Sequence, residues 1–229
     1  MTFSIAAIDP ETDKTGVAIA SVFPAVGAVC PWVSDRVALS SQAWDAGATY
    51  GQPALDMVAH KLSLPTAAEA LLKERPGGEG TQLHGIETNG TSYGYTGEKC
   101  EEWAGHTTGQ HHTVAGNTLV GVDVIEAMST AFQTADGPFE ERLLTALEAG
   151  ETAGGDKRGD NLSAALLVHG PTPKLYHNLR VDTPGEPIDD LWEAYEVARE
   201  TEADADESRL QEIWGSEYDD SIVEFPIRY

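Results

Sequence analysis

Basic residues are scarce in this sequence. Fourteen lysines and arginines stand against 38 aspartates and glutamates among 229 residues, which gives a formal net charge of −24. Binding to a phosphate chain requires clustered lysine and arginine side chains, and the sequence contains no such cluster. We therefore expect no nucleic-acid partner, and the same charge repels anionic membrane surfaces.

Cysteine is nearly absent, and long apolar runs are missing. Cys30 and Cys100 are the two cysteines, and without a secretory signal such a pair does not suggest a disulfide framework. No apolar run approaches the roughly 20 residues that a membrane-spanning helix requires. These absences predict a soluble protein in a reducing cytoplasm, with no membrane partner.

Signatures of cofactor and metal sites are missing too. No G-x-G-x-x-G follows a predicted strand, and there is no Walker sequence, so nothing indicates a bound nucleotide. His106, His111 and His112 could suggest zinc, but their spacing matches none of the usual zinc motifs. Cys100 has no evident activating base and is most simply a small buried residue. We therefore predict no cofactor and no metal.

The acidic residues are spread along the whole chain. A single acidic block would indicate a docking site for a cationic partner, which is the alternative interpretation. An even spread is typical of a protein from a salt-rich cytoplasm, where ions screen the repulsion between like charges. A hydrophobic fraction of 41% is enough for a packed core, and the length predicts one domain, although two small ones would also fit.

The periodicity of apolar residues predicts the secondary structure. Residues 2–9 and 15–23 alternate with a period of two around a polar turn, which indicates a hairpin. Similar strand patterns cover 36–42, 82–87, 92–96, 111–117, 163–169 and 175–181. Helical spacing covers 52–62, 66–74, 118–132, 138–150 and 187–199. Residues 30–32 predict a corner because of Pro31, and 97–109 show no regular pattern.

Two helix starts are predicted from capping residues. Thr66 with Glu69 has the spacing of a capping box at the start of the second helix. Asn117 or Thr118 is a suitable N-cap for the third helix. Both predictions rest on short polar side chains placed just before an apolar helical pattern.

Strands and helices occur in groups rather than in strict alternation. This order favours largely antiparallel sheets with helices in the outer layers. We predict an α+β fold, a four-layer α-β-β-α sandwich of two largely antiparallel sheets, formed by residues 1–199. Residues 200–229 are predicted to be an acidic C-terminal extension with an edge strand at 223–227. Open sheet edges and this tail favour a homodimer.

Thr2 is the sharpest candidate for chemistry. If Met1 is removed, Thr2 carries a hydroxyl nucleophile together with an α-amine, whose unperturbed pKa of about 8 suits a base at neutral pH. Thr follows Met in many proteins by chance. A retained methionine would block the amine and leave Thr2 as an ordinary strand residue, although threonine after methionine normally permits removal.

Several stretches resemble a known family. The opening MTFSIAAIDPETDKTGVAIAS is followed by AVGAVCPW, SSQAW, YTGEKCEEWAGH, AGN and ERLLTALEAGETAGGDKRGDNLSAALLV. Together they resemble the domain-of-unknown-function family 1028 over about residues 1–185, most specifically in GGDKRG and SAALLV. That family is similar in fold to the N-terminal-nucleophile hydrolases, which cleave amides with a first-residue Ser, Thr or Cys. The resemblance implies the same sandwich and supports Thr2 as the nucleophile.

The glycine loop 154–159 is the second candidate site. Arg158 could bind a substrate carboxylate through two parallel hydrogen bonds, and Asp156 could orient Arg158 or the Thr2 amine. A salt bridge that merely stabilises a tight turn explains the same residues equally well.

Three further polar residues are candidates with simpler alternatives. The Asn117 amide could donate to an oxyanion, or Asn117 could be only the helix cap described above. Gln42 could donate to a substrate, or could be no more than a polar strand terminus. His106 is a candidate pocket-lining residue because the WAGH string belongs to the resemblance.

The sequence thus supports two functional hypotheses. The first is a hydrolase of a small amide or lactam, in which Thr2 attacks the carbonyl and the site binds a small carboxylate-bearing substrate. The second is a non-catalytic small-molecule-binding or assembly protein on the same fold, with Met1 retained. A cavity lined by both Thr2 and Arg158 would favour the first hypothesis.

Overall fold

Two antiparallel β-sheets stacked face to face form the centre of the protein. This computed structural model describes residues 2–43, 47–182 and 184–204. Over these residues the strands are β1 (Thr2–Asp9), β2 (Lys14–Ser21), β3 (Pro31–Val33), β4 (Val37–Ala43), β5 (Thr81–Glu87), β6 (Ser92–Thr96), β7 (Gly105–Thr108), β8 (His112–Asn117), β9 (Ser163–His169) and β10 (Asn178–Val181). The helices are α1 (Gly47–Ala59), α2 (Leu64–Glu74), α3 (Asp123–Thr134), α4 (Phe139–Thr152) and α5 (Pro187–Asp204).

The larger sheet has the strand order β10-β9-β2-β1-β8-β7, and the smaller has the order β3-β4-β5-β6. All neighbouring pairs run antiparallel. The β1–β2 hairpin therefore lies in the middle of the larger sheet. Because β1 has strands on both sides, the backbone at Thr2 is fixed by two neighbours.

The period of two in β1 divides its side chains between two layers. Phe3 and Ile5 pack in a large apolar core with Phe132 of α3 and Leu143 of α4. Residues on the opposite face of β1 point towards the smaller sheet, where Ala6 packs with neighbours from both sheets. One strand thus contributes to the helical layer and to the space between the sheets.

The smaller sheet carries its own helical layer. Tyr50 and Val58 of α1 pack with Leu71 of α2 against Leu39 and Leu83 of the sheet. The layers therefore follow the order α-β-β-α, and the predicted sandwich is confirmed. Among the described residues, no helix combines the length and apolar content needed to cross a bilayer.

Several predicted boundaries are wrong. Pro31 begins the short strand β3 instead of a corner, and it is tolerated there because β3 is an edge strand that it opens. The predicted irregular stretch 97–109 contains β7. In the predicted strand 175–181, residues 175–177 form a 3₁₀ turn ahead of β10.

The helix starts also differ from the prediction. Helix α1 begins at Gly47, so Pro53 lies inside it. Helix α2 is capped by Ser63, whose side chain accepts a hydrogen bond from the backbone N–H of Thr66. Helix α3 begins at Asp123 without a side-chain cap, so neither Asn117 nor Thr118 caps it. The predicted edge strand at 223–227 lies outside the described residues.

Candidate active site

Three polar residues lie side by side at the first residue of β1. Thr2 is directly opposite Ser21 on β2 and Asn117 on β8. Opposed residues in antiparallel strands point to the same face of the sheet, and here that face is turned towards the smaller sheet. The hydroxyl oxygens of Thr2 and Ser21 are 3.2 Å apart and share a hydrogen bond. Thr2 is 7% exposed and Asn117 is 5% exposed.

A buried network of polar side chains continues from this row into the space between the sheets. The Ser4 hydroxyl contacts Gln42 Oε1 at 2.6 Å and His84 Nε2 at 2.7 Å. The Gln42 side-chain amide donates to Gln82 Oε1 at 3.1 Å and to the backbone carbonyl of Ala115 at 3.3 Å. Gln42 lies one residue before the end of β4, close to its predicted position, and its amide bridges the two sheets.

Gln82 orients the amide of Asn117. The Gln82 Oε1 atom accepts from Asn117 Nδ2 at 2.8 Å, and the Gln82 Nε2 atom donates to the backbone carbonyl of Gly116 at 2.7 Å. Both ends of the Gln82 amide are thereby fixed. An asparagine amide has two N–H groups, so this contact uses one and leaves the second as a possible oxyanion donor. The Asn117 side chain is therefore held by Gln82 and does not cap α3.

His84 is electrically neutral at the centre of this network. Burial, together with the nearby charge of His106, lowers the pKa of His84 from 6.5 to about 3. Its Nδ1 atom contacts the Thr113 hydroxyl at 2.9 Å, so both ring nitrogens have hydroxyl partners. A neutral imidazole with one donor and one acceptor satisfies both contacts without burying a charge.

The glycine loop 154–159 is anchored next to Asn117. Its backbone pairs with the segment after β8, through Lys157 N to Thr118 O at 3.3 Å and Val120 N to Gly155 O at 3.1 Å. Gly154 has φ +113°, a conformation that favours glycine. A Cβ atom at this position would also lie 2.7 Å from Val120 Cγ2. The loop therefore requires glycine for its turn and for its close approach to Val120.

Asp156 and Arg158 form an ion pair within this loop. The Asp156 carboxylate accepts from the backbone N–H of Arg158 at 2.7 Å, and the guanidinium approaches it at 3.4 Å. Burial raises the pKa of Asp156, and the hydrogen bond from the Arg158 backbone partly offsets this. The predicted salt bridge in a tight turn is therefore present, and the Asp156 carboxylate holds Arg158.

A short chain of contacts links Thr2 to Arg158. The Ser21 hydroxyl, which contacts Thr2, also accepts from the backbone N–H of Phe23 at 3.1 Å. The Arg158 guanidinium carbon lies 5.9 Å from the centre of the Phe23 ring, a cation–π arrangement. Thr2 and Arg158 thus belong to one end of the sandwich, joined through two residues that the sequence did not single out.

His106 lies at the outer side of the same network. Its Nδ1 atom contacts the Thr96 hydroxyl at 2.9 Å, and that hydroxyl accepts from Gln82 Nε2 at 3.1 Å. Burial lowers the pKa of His106. His112 faces the helical layer instead and contacts Ser129 at 2.8 Å. In the described ranges, no three His, Cys, Asp or Glu side chains are grouped to hold a metal ion.

Two cavities lie away from Thr2. The larger, about 610 Å³, is at the other end of β1, where the hairpin turn meets Lys14, His111 and Arg142. The smaller, about 460 Å³, lies between α3 and α4. Neither of these two cavities is lined by Thr2 or Arg158. The larger cavity could hold a small molecule away from Thr2, and it therefore favours the binding-protein hypothesis.

One family model and one solved structure indicate the same family. Residues 2–191 match the model of DUF1028, a family of unknown function. The crystal structure of protein SPO2555 from Silicibacter pomeroyi, described by the same family model, is 32% identical, covers 86% of this chain and 85% of its own, and has a TM-score of 0.80. Eukaryotic HslV from Trypanosoma brucei is far more distant, with 10% identity, coverage of 73% and 99%, and a TM-score of 0.43. No curated protein matches the chain.

Proposed function

We propose that this chain, which belongs to the family DUF1028, is a hydrolase of small amides or lactams that uses Thr2 as its nucleophile after removal of Met1. The observation that supports this proposal is the row of Ser21, Thr2 and Asn117 across three neighbouring strands. It places a second hydroxyl and an oriented amide beside the candidate nucleophile. The resemblance of the family to N-terminal-nucleophile hydrolases gives the proposal its reaction class.

The proposed reaction has two stages. The Thr2 α-amine takes the hydroxyl proton while the Thr2 oxygen attacks the amide carbonyl, and the carbonyl oxygen becomes negatively charged. The second N–H of Asn117 donates to that oxygen. The protonated amine gives its proton to the departing nitrogen, which leaves an ester on Thr2. Water, deprotonated by the same amine, then hydrolyses the ester and restores the hydroxyl.

Ser21, Asp156 and Arg158 have supporting roles in this proposal. The Ser21 hydroxyl accepts from Phe23 and shares a hydrogen bond with Thr2, so it restricts the rotation of the nucleophile. Arg158, held by Asp156, binds the carboxylate of the substrate. His106 lies at the outer edge of the site. Gln42 stabilises the site from inside because its amide is engaged within the protein.

The first test is the intact mass of protein purified from its native host in high salt. A mass lower by one methionine residue agrees with the proposal, because the Thr2 amine is then exposed. Hydrolysis of N-acylated amino acids and lactam carboxylates is measured on the same protein. Thr2→Ala should lose about a thousandfold or more in kcat, whereas Thr2→Ser, which keeps a hydroxyl, should retain measurable activity. A retained methionine, or an active Thr2→Ala variant with its fold intact, would contradict the mechanism.

We propose the binding protein as the second candidate, because the larger cavity lies at the opposite end of β1 from Thr2. This candidate predicts that Thr2→Ala leaves ligand binding unchanged and that Arg142→Met weakens it.

We propose also that the protein works as a homodimer in a salt-rich cytoplasm. Sedimentation at the protein's working salt concentration tests the dimer directly.

A further inference from the structure

We infer that the substrate carries an apolar group, preferably aromatic, next to its carboxylate, as an N-acylated phenylalanine or leucine does. This inference rests on the proposed function, because it concerns the surface next to the same site. It specifies a feature of the substrate that neither the nucleophile nor the family resemblance determines.

Exposed apolar side chains follow the ends of the two strands that flank Thr2. Phe23 is 52% exposed and follows Ser21 by two residues, while Val120 is 52% exposed and follows Asn117 by three. Val122, close to Val120 in the chain, is 39% exposed. Single exposed apolar residues are ordinary on a protein surface. Several that follow the strand ends next to a candidate nucleophile indicate that part of a ligand covers them.

The glycine loop connects these apolar residues to a cation. Near its start, Gly155 accepts from the backbone N–H of Val120. At its end, Arg158 lies over the Phe23 ring. The glycine loop and its immediate contacts therefore combine an aromatic ring, a valine and a guanidinium.

Arg158 is oriented but still able to bind an anion. Two long contacts of 3.4 Å to Asp156 use Nε and one Nη2 donor, and the Asp156 side chain is fully buried. A guanidinium has five N–H donors, and the Arg158 side chain remains 36% exposed. The planar fork suits a carboxylate. In a chain of net charge −24, such a cation beside apolar side chains favours a ligand that is both anionic and apolar.

The experiment measures binding to the Thr2→Ala protein, so that no probe is turned over by the proposed nucleophile. The probes are N-acetyl-L-phenylalanine, its carboxamide, which lacks the negative charge, and N-acetylglycine, which lacks the apolar group. We expect the first probe to bind at least about tenfold more tightly than either of the others. Titration calorimetry or ligand-observed NMR at constant salt gives the dissociation constants.

Three variants and two matched controls locate the contact. Phe23→Ala and Arg158→Met should each weaken binding of N-acetyl-L-phenylalanine about tenfold, since truncated aromatic and arginine contacts are the costly ones. Val120→Ser should weaken it less. Arg180→Met is the control for Arg158, because Arg180 is equally exposed and also pairs with an aspartate two residues away. Val197→Ser is the control for Val120, because Val197 is an exposed valine on α5.

The outcomes separate this inference from the proposed function. Equal binding of the three probes, no binding of any of them, or equal effects in variants and controls would overturn the inference, whatever Thr2 does. If the binding pattern is as expected but Thr2→Ala still hydrolyses N-acetyl-L-phenylalanine as fast as wild type, the nucleophile is wrong and the ligand class stands. Selective binding together with loss of hydrolysis in Thr2→Ala supports both.

Discussion

Asn117 illustrates at the scale of single residues how this site is built. Its amide is buried and hydrogen-bonded to Gln82, which is in turn fixed by the backbone of Gly116. A side-chain amide can stabilise an oxyanion only if its N–H already points to the place where charge develops, because reorientation during the reaction costs free energy. Gln82 is therefore a positioning residue for Asn117 in the proposed mechanism.

Replacing Gln82 by methionine should reduce kcat about tenfold to a hundredfold with little change in KM. The reason is that Asn117 loses the acceptor that fixes its amide, while substrate contacts at Arg158 remain. Kinetics of purified Gln82→Met on the best available amide substrate measure the effect.

Thr113→Val is the matched control for this prediction. It removes a hydroxyl from the same buried network, the one that contacts His84, without touching Asn117. At equal folded fraction it should keep kcat within about threefold of wild type. An equal loss of kcat in both variants would mean that Gln82 acts only through general stability.

At the scale of elements, the two sheets are joined by polar residues of β1, β4, β5 and β8. Ser4 contacts Gln42 and His84 of the smaller sheet, and His84 continues to Thr113 of the larger one. Polar contacts need a particular geometry, whereas apolar side chains pack in several ways. The network therefore sets the relative position of the sheets at the end where Thr2 lies.

Acid should destabilise this arrangement through His84. Burial lowers the pKa of His84 from 6.5 to about 3, so below pH 6.5 the unfolded chain binds a proton that the folded chain does not. The stability contributed by the neutral histidine is complete above pH 6.5 and decreases as the pH falls towards 3. The loss is about 2 kcal/mol at pH 5.

Urea unfolding of wild type and His84→Gln at pH 7, 6 and 5 measures this contribution. Glutamine does not titrate, so its free energy of unfolding should depend less on pH over this range. His60→Gln is the control, because His60 is an exposed histidine in the turn that follows α1. Parallel pH dependence in wild type and His84→Gln would show that another group is responsible.

The start of α2 gives a second prediction at this scale. Ser63 caps the helix by accepting from the backbone N–H of Thr66, whereas the Thr66 hydroxyl hydrogen-bonds to the Ser63 hydroxyl and caps no backbone group among the described residues. Ser63→Ala should therefore lower the free energy of unfolding by about 1 kcal/mol, and Thr66→Ala by less. Chemical denaturation of the two variants compares them directly. A larger loss in Thr66→Ala would instead support the capping box of Thr66 and Glu69 that was predicted from the sequence.

Charge dominates at the scale of the whole molecule. With a net charge of −24, the folded chain brings like charges together and is destabilised by their repulsion. Raising the salt concentration shortens the screening length from about 10 Å at 0.1 M to about 3 Å at 1 M. We therefore expect the melting temperature at pH 7 to rise by several degrees between 0.1 and 1 M KCl.

A second series near the isoelectric point separates screening from other salt effects. At a pH close to the sequence pI of about 4.4, the net charge is small and screening has little repulsion to relieve. The rise in melting temperature should then be much smaller than at pH 7. An equal rise at both pH values would mean that salt acts on apolar burial, and a fall at pH 7 would contradict the proposed adaptation to salt.

The sequence by itself determined the layers of this protein. Alternation in β1 placed Phe3 and Ile5 in a core, and helical spacing in residues 139–147 placed Leu143 opposite them. Such patterns are local, because each records which side of one element is apolar. The grouping of strands and helices then left few ways to stack them, and the four-layer sandwich follows.

Only the tertiary structure decided which polar residues form the site. Alternation in β5 would turn Gln82 and His84 towards solvent, yet both are fully buried. They are stable there because Asn117, Ser4 and Thr113 supply hydrogen bonds from distant segments. A buried polar group needs partners, and no local pattern reveals partners that lie about 30 to 80 residues away. The neighbours of Thr2 were fixed by strand register and sheet stacking, which exist only in the folded chain.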